Sequence, residues 1–138
     1  MWHRRTYSAD DAARLCGVSR NHLDVILHRS GPMIDLVSEK VGRNRLFAPA
    51  DIAVIAVAHQ IERAGRSWLQ AIGIAFEHLE DPPPIDAILV APVPGKGCGP
   101  TRIIADRDVS RLQVDRPLIL IPIGAICASI NGGAHVAL

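Results

Sequence analysis

The stretch that decides the fold is YSADDAARLCGVSRNHLDVILHR, which spans Tyr7 to Arg29. Ser8 and Ser19 are suited to begin helices, because a serine hydroxyl can accept a hydrogen bond from an amide of the first helical turn. Asp11 stands where a carboxylate can complete an approximate capping box for the first helix. Gly17 provides the left-handed backbone with which helices commonly end. The stretch therefore predicts two short helices joined by a Gly-Val-Ser corner.

This two-helix pattern is typical of a helix-turn-helix, in which the second helix lies in the major groove of DNA. The first residues of that helix face base edges and phosphates, and in this chain they are Arg20, Asn21 and His22. Any helical hairpin with a purely structural role gives a similar pattern. On this stretch alone, DNA binding and simple packing both remain open.

A β-hairpin is expected after the second helix. Ser30-Gly31-Pro32 ends helical structure, and a strand is predicted within Met33 to Lys40. Gly42-Arg43-Asn44 is the predicted turn, and Arg45-Leu46-Phe47 is the predicted return strand.

The hairpin has two interpretations. If it is a wing beside a recognition helix, then Arg43, Asn44 and Arg45 contact backbone phosphate or the minor groove. Arg43 and Arg45 are two residues apart, so on a strand they would share one face. The alternative is a solvated hairpin whose charges only keep its edge from pairing with another strand.

A third helix is predicted from Pro49 to about Ala64, because proline suits the first helical position and Asp51 follows in the first turn. Its segment Ile52 to Ala58 is continuously apolar. A helix that is apolar on all sides is enclosed by its neighbours. We therefore expect this helix to be the structural centre of the molecule.

A fourth helix is predicted after Gly65, with Ser67 as its cap. Apolar residues recur along it at helical spacing, and they include Trp68 and Phe76. We expect both aromatic side chains in the core. The alternative is that they line a ligand pocket.

Asp81-Pro82-Pro83-Pro84 marks the clearest boundary and divides the chain into residues 1–80 and 85–138. Beyond it, short runs rich in β-branched residues predict three or four strands. These runs are Ile85 to Val93, Thr101 to Ala105, Val109 to Val114 and Pro117 to Ile123. So small a sheet should either cover the helical part or pair with a second copy.

A short helix is predicted over Gly124 to Ile130, with Asn131-Gly132-Gly133 closing it and a mobile tail after it. Four helices and a hairpin, followed by a β-rich region, make the expected fold class α+β. We expect the β-rich region to carry dimerisation or regulation.

Charge limits the classes of function. The chain has 138 residues, 49% of them apolar, and a formal net charge of +1, so it is not a general polycation. Between Ser19 and Phe47 the basic residues are Arg20, Arg29, Lys40, Arg43 and Arg45, and the acidic ones are Asp24, Asp35 and Glu39. This local excess of two basic groups is compatible with nucleic-acid binding and does not demonstrate it.

Residues with catalytic or metal-binding chemistry are scattered. Cys16, Cys98 and Cys127 have no CxxC spacing, which favours a reducing compartment, and the six histidines have no metal-ligand spacing. The glycine-rich loop around Cys98 lacks the order of a phosphate-binding loop. We expect no enzyme activity, no cofactor and no metal. A reducing compartment makes the cytoplasm the expected location. The most apolar run, Leu118 to Ile130, is too short to span a membrane and contains a proline.

Three short motifs follow one another along the chain, and their order and spacing are informative. They are Gly17-Val18-Ser19, then Arg45-Leu46-Phe47 with Pro49 and Asp51 after it, then Ala64-Gly65-Arg66-Ser67-Trp68-Leu69. Together they resemble the MerR-type winged-helix DNA-binding domain over about Tyr7 to Leu79. The resemblance implies a helix-turn-helix, a wing and two further helices. It also implies a transcriptional regulator that binds double-stranded DNA as a homodimer on a pseudo-palindrome.

The chain departs from that family in two places. Where members usually have arginine followed by aromatic residues in the second helix, this chain has Asp24, Val25 and Ile26. A carboxylate there repels DNA, so the operator contacts should differ. The long dimerisation helix is missing, and no cysteine ligands of the metal-sensing members are matched, so no effector follows. A winged-helix module that binds a protein partner instead of DNA is the alternative function.

Overall fold

The computed structural model describes residues 1–95 and 99–136, and for residues 133–136 it describes the backbone alone. The fold is mixed α+β. The five α-helices of the described residues are α1 (Ala9–Cys16), α2 (Arg20–Arg29), α3 (Pro49–Arg63), α4 (Trp68–His78) and α5 (Ile123–Val136). The five strands are β1 (Glu39–Val41), β2 (Asn44–Leu46), β3 (Ala87–Pro92), β4 (Arg102–Ala105) and β5 (Leu118–Ile121).

Local capping sets the first two helices, as the sequence predicts. The Ser8 hydroxyl accepts a hydrogen bond from the Asp11 amide at 3.1 Å, and the Ser19 hydroxyl accepts one from the His22 amide at 3.1 Å. Gly17 ends α1 with φ of 74°, in the left-handed region that a side chain disfavours. The Asp11 carboxylate pairs with Arg14 and does not complete the expected capping box. Ser8 therefore fixes the start of α1, and Gly17 and Ser19 fix the corner between α1 and α2, as the sequence predicts.

The N-terminal segment ties the hairpin to the start of α3. Tyr7 and Phe47 exchange backbone hydrogen bonds of 3.0 and 2.8 Å, and Phe47 is completely buried. The carboxylate of Asp51 accepts the Ala48 amide at 2.8 Å and the Arg5 Nε at 3.0 Å. Arg5 also donates from Nη2 to the carbonyl of Leu36 at 3.0 Å. One carboxylate thus caps α3 and holds the N-terminal segment in place.

Helix α3 is the centre of the molecule, as its apolar sequence predicts, because all but the last turn of it is buried. Helix α4 packs along it, and the two are joined to α2 through Trp68. The Trp68 indole nitrogen donates to the Ser30 hydroxyl at 2.9 Å, and both residues are buried. The guanidinium of Arg29 lies 5.4 Å from the centre of the Trp68 ring.

The C-terminal part covers the other side of α3. Its antiparallel sheet has the order β4-β3-β5, with Leu89 opposite Ile103 on one side and Ile121 on the other. Helix α5 packs on α1, α3 and β3. One hydrophobic core therefore runs from Ala12 in α1 to Ile130 in α5. Of the two arrangements left open by the sequence, covering of the helical part is the one observed within a single chain.

One predicted strand starts later than expected, and another is not formed. Residues Gly31–Leu36 form a 3-10 helix, so the first hairpin strand begins only at Glu39. Gly31 has φ of 55° and Pro32 has a fixed φ, and this pair continues the chain in a tight turn from the end of α2. Residues Asp106–Arg111 form a second 3-10 helix in place of the predicted strand over Val109 to Val114. That segment lacks the apolar alternation of a half-buried strand.

Three smaller expectations also need correction. Asn44 belongs to the return strand, so the hairpin turn consists of Gly42 and Arg43. Helix α5 continues to Val136 through the predicted Asn131-Gly132-Gly133 stop. Phe76 is 45% exposed, because the buried stripe of α4 consists of Trp68, Ala71, Ile72 and Ala75 and Phe76 lies beside it. The expectations for Cys98 and its loop, and for the last two residues of the tail, lie outside the described residues.

Gly124 in the first turn of α5 provides a test of this packing. An added Cβ would overlap the carbonyl oxygens of Pro84 and Ile85, whereas Gly73 in α4 has open space at the same position. We expect Gly124→Ala to lower the free energy of unfolding by about 1–3 kcal/mol through overpacking. Gly73→Ala should raise it by about 0.5–1 kcal/mol, because alanine favours the helix. Thermal or urea unfolding measures both, and a stable Gly124→Ala variant would contradict the packing of α5 on the Pro84 segment.

Candidate nucleic-acid interface

The first turn of α2 presents three polar side chains to solvent. The Ser19 cap places Arg20, Asn21 and His22 in this turn, and all three are exposed. On the opposite side of the helix, Leu23 and Ile26 are completely buried. The helix is therefore anchored by its apolar side, and its polar first turn is available for contacts.

Arg20 is held by two carboxylates. Its Nη1 lies 2.8 Å from the Asp10 carboxylate in α1, and its Nε lies 3.1 Å from the Asp24 carboxylate one turn later in α2. These hydrogen bonds raise the pKa of Arg20 above its ordinary value. The side chain is 49% exposed, and exposed ion pairs contribute about 1 kcal/mol or less, so a phosphate can replace either carboxylate.

His22 packs edge-on against His59 of α3, with 5.1 Å between ring centres and 80° between ring planes. Burial lowers the pKa of His59, and the neighbouring His22 and Arg63 lower it further. Among the described residues, the buried Nδ1 of His59 has no hydrogen-bond partner. The contact between α2 and α3 therefore favours an uncharged His59.

The two arginines of the hairpin differ, because Arg43 is exposed and Arg45 is held by hydrogen bonds. Arg43 and Asn44 are exposed at the turn, where Gly42 has φ of 62°. Arg45 lies opposite Lys40, and its Nη1 donates to the Asp35 carboxylate at 3.1 Å and to the Ser38 hydroxyl at 3.0 Å. Within residues 1–95 and 99–136, Arg43 forms no ion pair. The two hairpin arginines therefore have different surroundings.

The helix and hairpin are neighbours through the first 3-10 helix, which contacts α2 at one end and β1 at the other, while β2 contacts α1. The six predicted contact residues thus form two groups on adjacent elements: Arg20, Asn21 and His22 on α2, and Arg43, Asn44 and Arg45 on the hairpin. Five of them are exposed, which is compatible with DNA contact, whereas Arg45 is half-buried and bonded to Asp35 and Ser38.

Two carboxylates that bond the predicted contact residues were not predicted from the sequence. Asp10 closes on Arg20 only because α1 and α2 meet at the corner, and Asp35 reaches Arg45 from the 3-10 helix. The Arg20 and Asp24 pair, four residues apart on one helix, carries a readable signal. The sequence carries no such signal for the pair of Arg20 with Asp10 or the pair of Arg45 with Asp35, because both depend on how separate elements pack.

Thiol and metal chemistry find no support in the described part of the chain. Burial raises the pKa of Cys16 to about 12 and that of Cys127 to about 12, so both stay protonated near neutral pH. Across residues 1–95 and 99–136, no cluster of three histidine, cysteine or acidic side chains could hold a metal ion. Over the same residues, no helix combines the length and apolarity needed to cross a bilayer.

Comparison with known proteins adds no relationship: no protein-family model matches the sequence, and no curated protein matches it significantly.

His59 makes the stability of this region depend on pH. Its folded pKa lies below the unfolded value, so the unfolded chain binds the proton first as pH falls. Stability should therefore decrease from about pH 7 downward, through the ordinary histidine pKa of about 6.5, and level off below the folded pKa. His59→Gln should make this pH-dependent loss of the free energy of unfolding smaller. Urea unfolding at a series of pH values from about 7 downward measures it. His28→Gln, which changes an exposed histidine of α2, is the control and should leave it unchanged.

Proposed function

We propose that the protein is a cytoplasmic DNA-binding transcriptional regulator of MerR-like type, which binds double-stranded DNA as a homodimer. Helices α1 and α2 would form the helix-turn-helix, and β1 and β2 the wing of a winged helix-turn-helix. The polar first turn of α2 would enter the major groove, and Arg43 would contact the adjacent backbone or minor groove.

The observation that carries the proposal is that the chain has both an exposed polar first turn of α2 and an exposed arginine, Arg43, at the turn of the hairpin. Arginine pairs with guanine and asparagine with adenine in the major groove, so Arg20 and Asn21 have suitable chemistry for base reading. Cations on the flanking element position the protein on the phosphates. Helix α2 is fixed by its buried Leu23 and Ile26, and the hairpin is attached at its base through the buried Phe47.

The ion pairs of Arg20 set a condition on this function. DNA must displace Asp10 or Asp24 from Arg20, and the remaining carboxylates weaken attraction to phosphate. Binding should consequently be modest on random sequence and should depend on the energy gained at bases. That expectation accords with a net charge of only +1.

The homodimer is proposed through β5. Both β4 and β5 are edges of the three-stranded sheet, but β4 begins with the exposed Arg102, and charge on an edge opposes further pairing. Strand β5 has the sequence LILI, with Leu120 44% exposed. Two β5 edges can pair antiparallel about a two-fold axis, which suits a pseudo-palindromic operator.

A protein-binding module is the second candidate. Its specific support is that Arg20 and Arg45 are both occupied by carboxylates of the same chain, namely Asp10, Asp24 and Asp35. On this alternative the pairs only stabilise the surface. Titration of duplex DNA at low and moderate salt separates the two functions, since DNA binding depends steeply on salt and its absence at low salt favours the module.

Arg43→Ala tests the wing. If Arg43 neutralises a phosphate, its loss should weaken binding on all sequences and reduce the slope of log affinity against log salt by about one unit per protomer. Arg111→Ala removes another exposed arginine, which lies in the C-terminal part, and should change neither quantity. Fluorescence anisotropy at several salt concentrations measures both variants. An Arg43→Ala variant that is folded and has an unaltered slope would exclude wing contact.

Asp24→Asn tests the recognition helix. The change removes a negative charge and one ion pair of Arg20 while keeping the side chain's size. We expect affinity for duplex DNA to rise several-fold, because like-charge repulsion decreases and Arg20 keeps only the Asp10 pair for a phosphate or guanine to displace. Asp108→Asn, a matched change remote from α2, should have no effect. Unchanged or weaker binding by Asp24→Asn would place α2 outside the interface.

Leu120→Lys tests the dimer. A lysine on the β5 edge should prevent strand pairing and give a monomer at tens of micromolar, as an order-of-magnitude test range for a stable dimer. Val114→Lys changes an exposed residue outside the sheet and should leave the dimer intact. Light scattering gives the mass of each. If the unmodified chain is itself a monomer at this concentration, the β5 interface is wrong.

A further inference from the structure

A cavity of about 600 Å³ lies between the N-terminal segment, the first 3-10 helix, the start of α3 and the end of α4. This volume is within the range of small-molecule sites, which is roughly 300–1,000 Å³. The cavity is separate from the polar first turn of α2 and from Arg43. None of the DNA contacts proposed above uses it.

One part of the cavity wall is apolar and includes two exposed apolar side chains that packing does not explain. Leu36 is 50% exposed and Phe76 is 45% exposed, and both line this space together with the buried Val54 and Leu79. Apolar groups left open to water gain free energy when a ligand covers them. An aromatic ring at the edge of a pocket is a suitable face for an apolar or cationic group.

Negative charge predominates at the mouth. Arg5 and Asp51 neutralise each other in an ion pair of 3.0 Å, and the second guanidinium nitrogen is bonded to the Leu36 carbonyl. Glu77 and Glu80 also line the cavity, are exposed, and form no ion pair within the described residues. Two carboxylates thus remain uncompensated beside an apolar wall, with His3 as the other titratable group there.

Three hydrogen bonds to backbone carbonyl groups hold the walls of the cavity in place. The Trp2 indole donates to the Leu79 carbonyl at 3.0 Å, and His3 Nε2 donates to the Glu80 carbonyl at 2.6 Å. The Ala50 amide donates to the Trp2 carbonyl at 2.8 Å. Because these bonds join the N-terminal segment to α3 and α4, the walls are arranged before any ligand arrives.

We propose that this cavity is a binding site for a small hydrophobic organic cation, an alkyl or aryl ammonium. The apolar portion would contact Phe76, Leu36 and Val54, and the ammonium would lie near Glu77 and Glu80. An anion would be repelled by the two glutamates, and a neutral molecule would make no use of them. The inference is independent of DNA binding and is tested without DNA.

Benzyltrimethylammonium is the probe, and neopentylbenzene is its neutral analogue of the same shape. The two tryptophans of the chain allow an internal control by ¹H–¹⁵N correlation spectroscopy. The indole signal of Trp2, bonded beside the cavity at Leu79, should shift saturably with the cation. The indole signal of Trp68, bonded to Ser30 in the core, should not shift. We expect the cation to bind at least about tenfold more tightly than the neutral analogue, which corresponds to about 1.4 kcal/mol.

Variants separate the two contributions. Phe76→Ala should weaken cation binding about tenfold, whereas Leu69→Ala, which removes another exposed side chain of α4, should not. Glu77→Gln with Glu80→Gln should abolish the preference for the cation and leave neopentylbenzene binding unchanged. Equal binding of the charged and neutral probes by the unmodified chain, tighter binding of phenylbutyrate, or full binding by folded Phe76→Ala would each overturn the proposal.

Discussion

The arrangement of the N-terminal half depends on the hydrogen bonds and the ion pair that the buried carboxylate of Asp51 forms. Asp51 is 7% exposed, and a buried carboxylate is costly unless charge and hydrogen bonds compensate it. The Ala48 amide and Arg5 provide that compensation, and Arg5 extends the connection to the 3-10 helix at Leu36. One buried charge therefore fixes the start of α3, the N-terminal segment and the base of the hairpin relative to each other.

A second connection holds α2. Ser30 accepts from the Trp68 indole and donates to the Ile26 carbonyl at 2.8 Å, so the end of α2 is bonded to the start of α4. Arg29 reinforces this junction through its position over the Trp68 ring and a 2.9 Å pair with Glu62. Both ends of the proposed interface are thus anchored in the core. Recognition then requires no folding of the contacting elements, which reduces its entropic cost.

The sequence predicts what is encoded locally and misses what depends on packing. The caps at Ser8, Ser19 and Ser67 follow from side-chain hydrogen bonds to nearby amides, so the starts of three helices were predictable. The extension of α5 through two glycines was not, because glycine has a low helix propensity and commonly marks a helix end. Within the candidate site, the three residues after Ser19 follow from the pattern, whereas the Asp10 contact to Arg20 needs the angle between two helices.

The composition of the exposed surface supports the proposed DNA contact better than the proposed contact with a protein partner. Protein interfaces have an apolar core that is rich in aromatic residues, with polar groups at the rim. The large apolar side chains exposed on α2 and the hairpin are Val25 and Val41, and neither is aromatic. The proposed contacts are otherwise the exposed Arg20, Asn21, His22, Arg43 and Asn44 and the half-buried Arg45, and polar contacts of this kind are typical of protein–DNA interfaces. Phe76, an aromatic side chain that is exposed outside these elements, lines a cavity of small-molecule size, so the two proposals use different groups of exposed side chains.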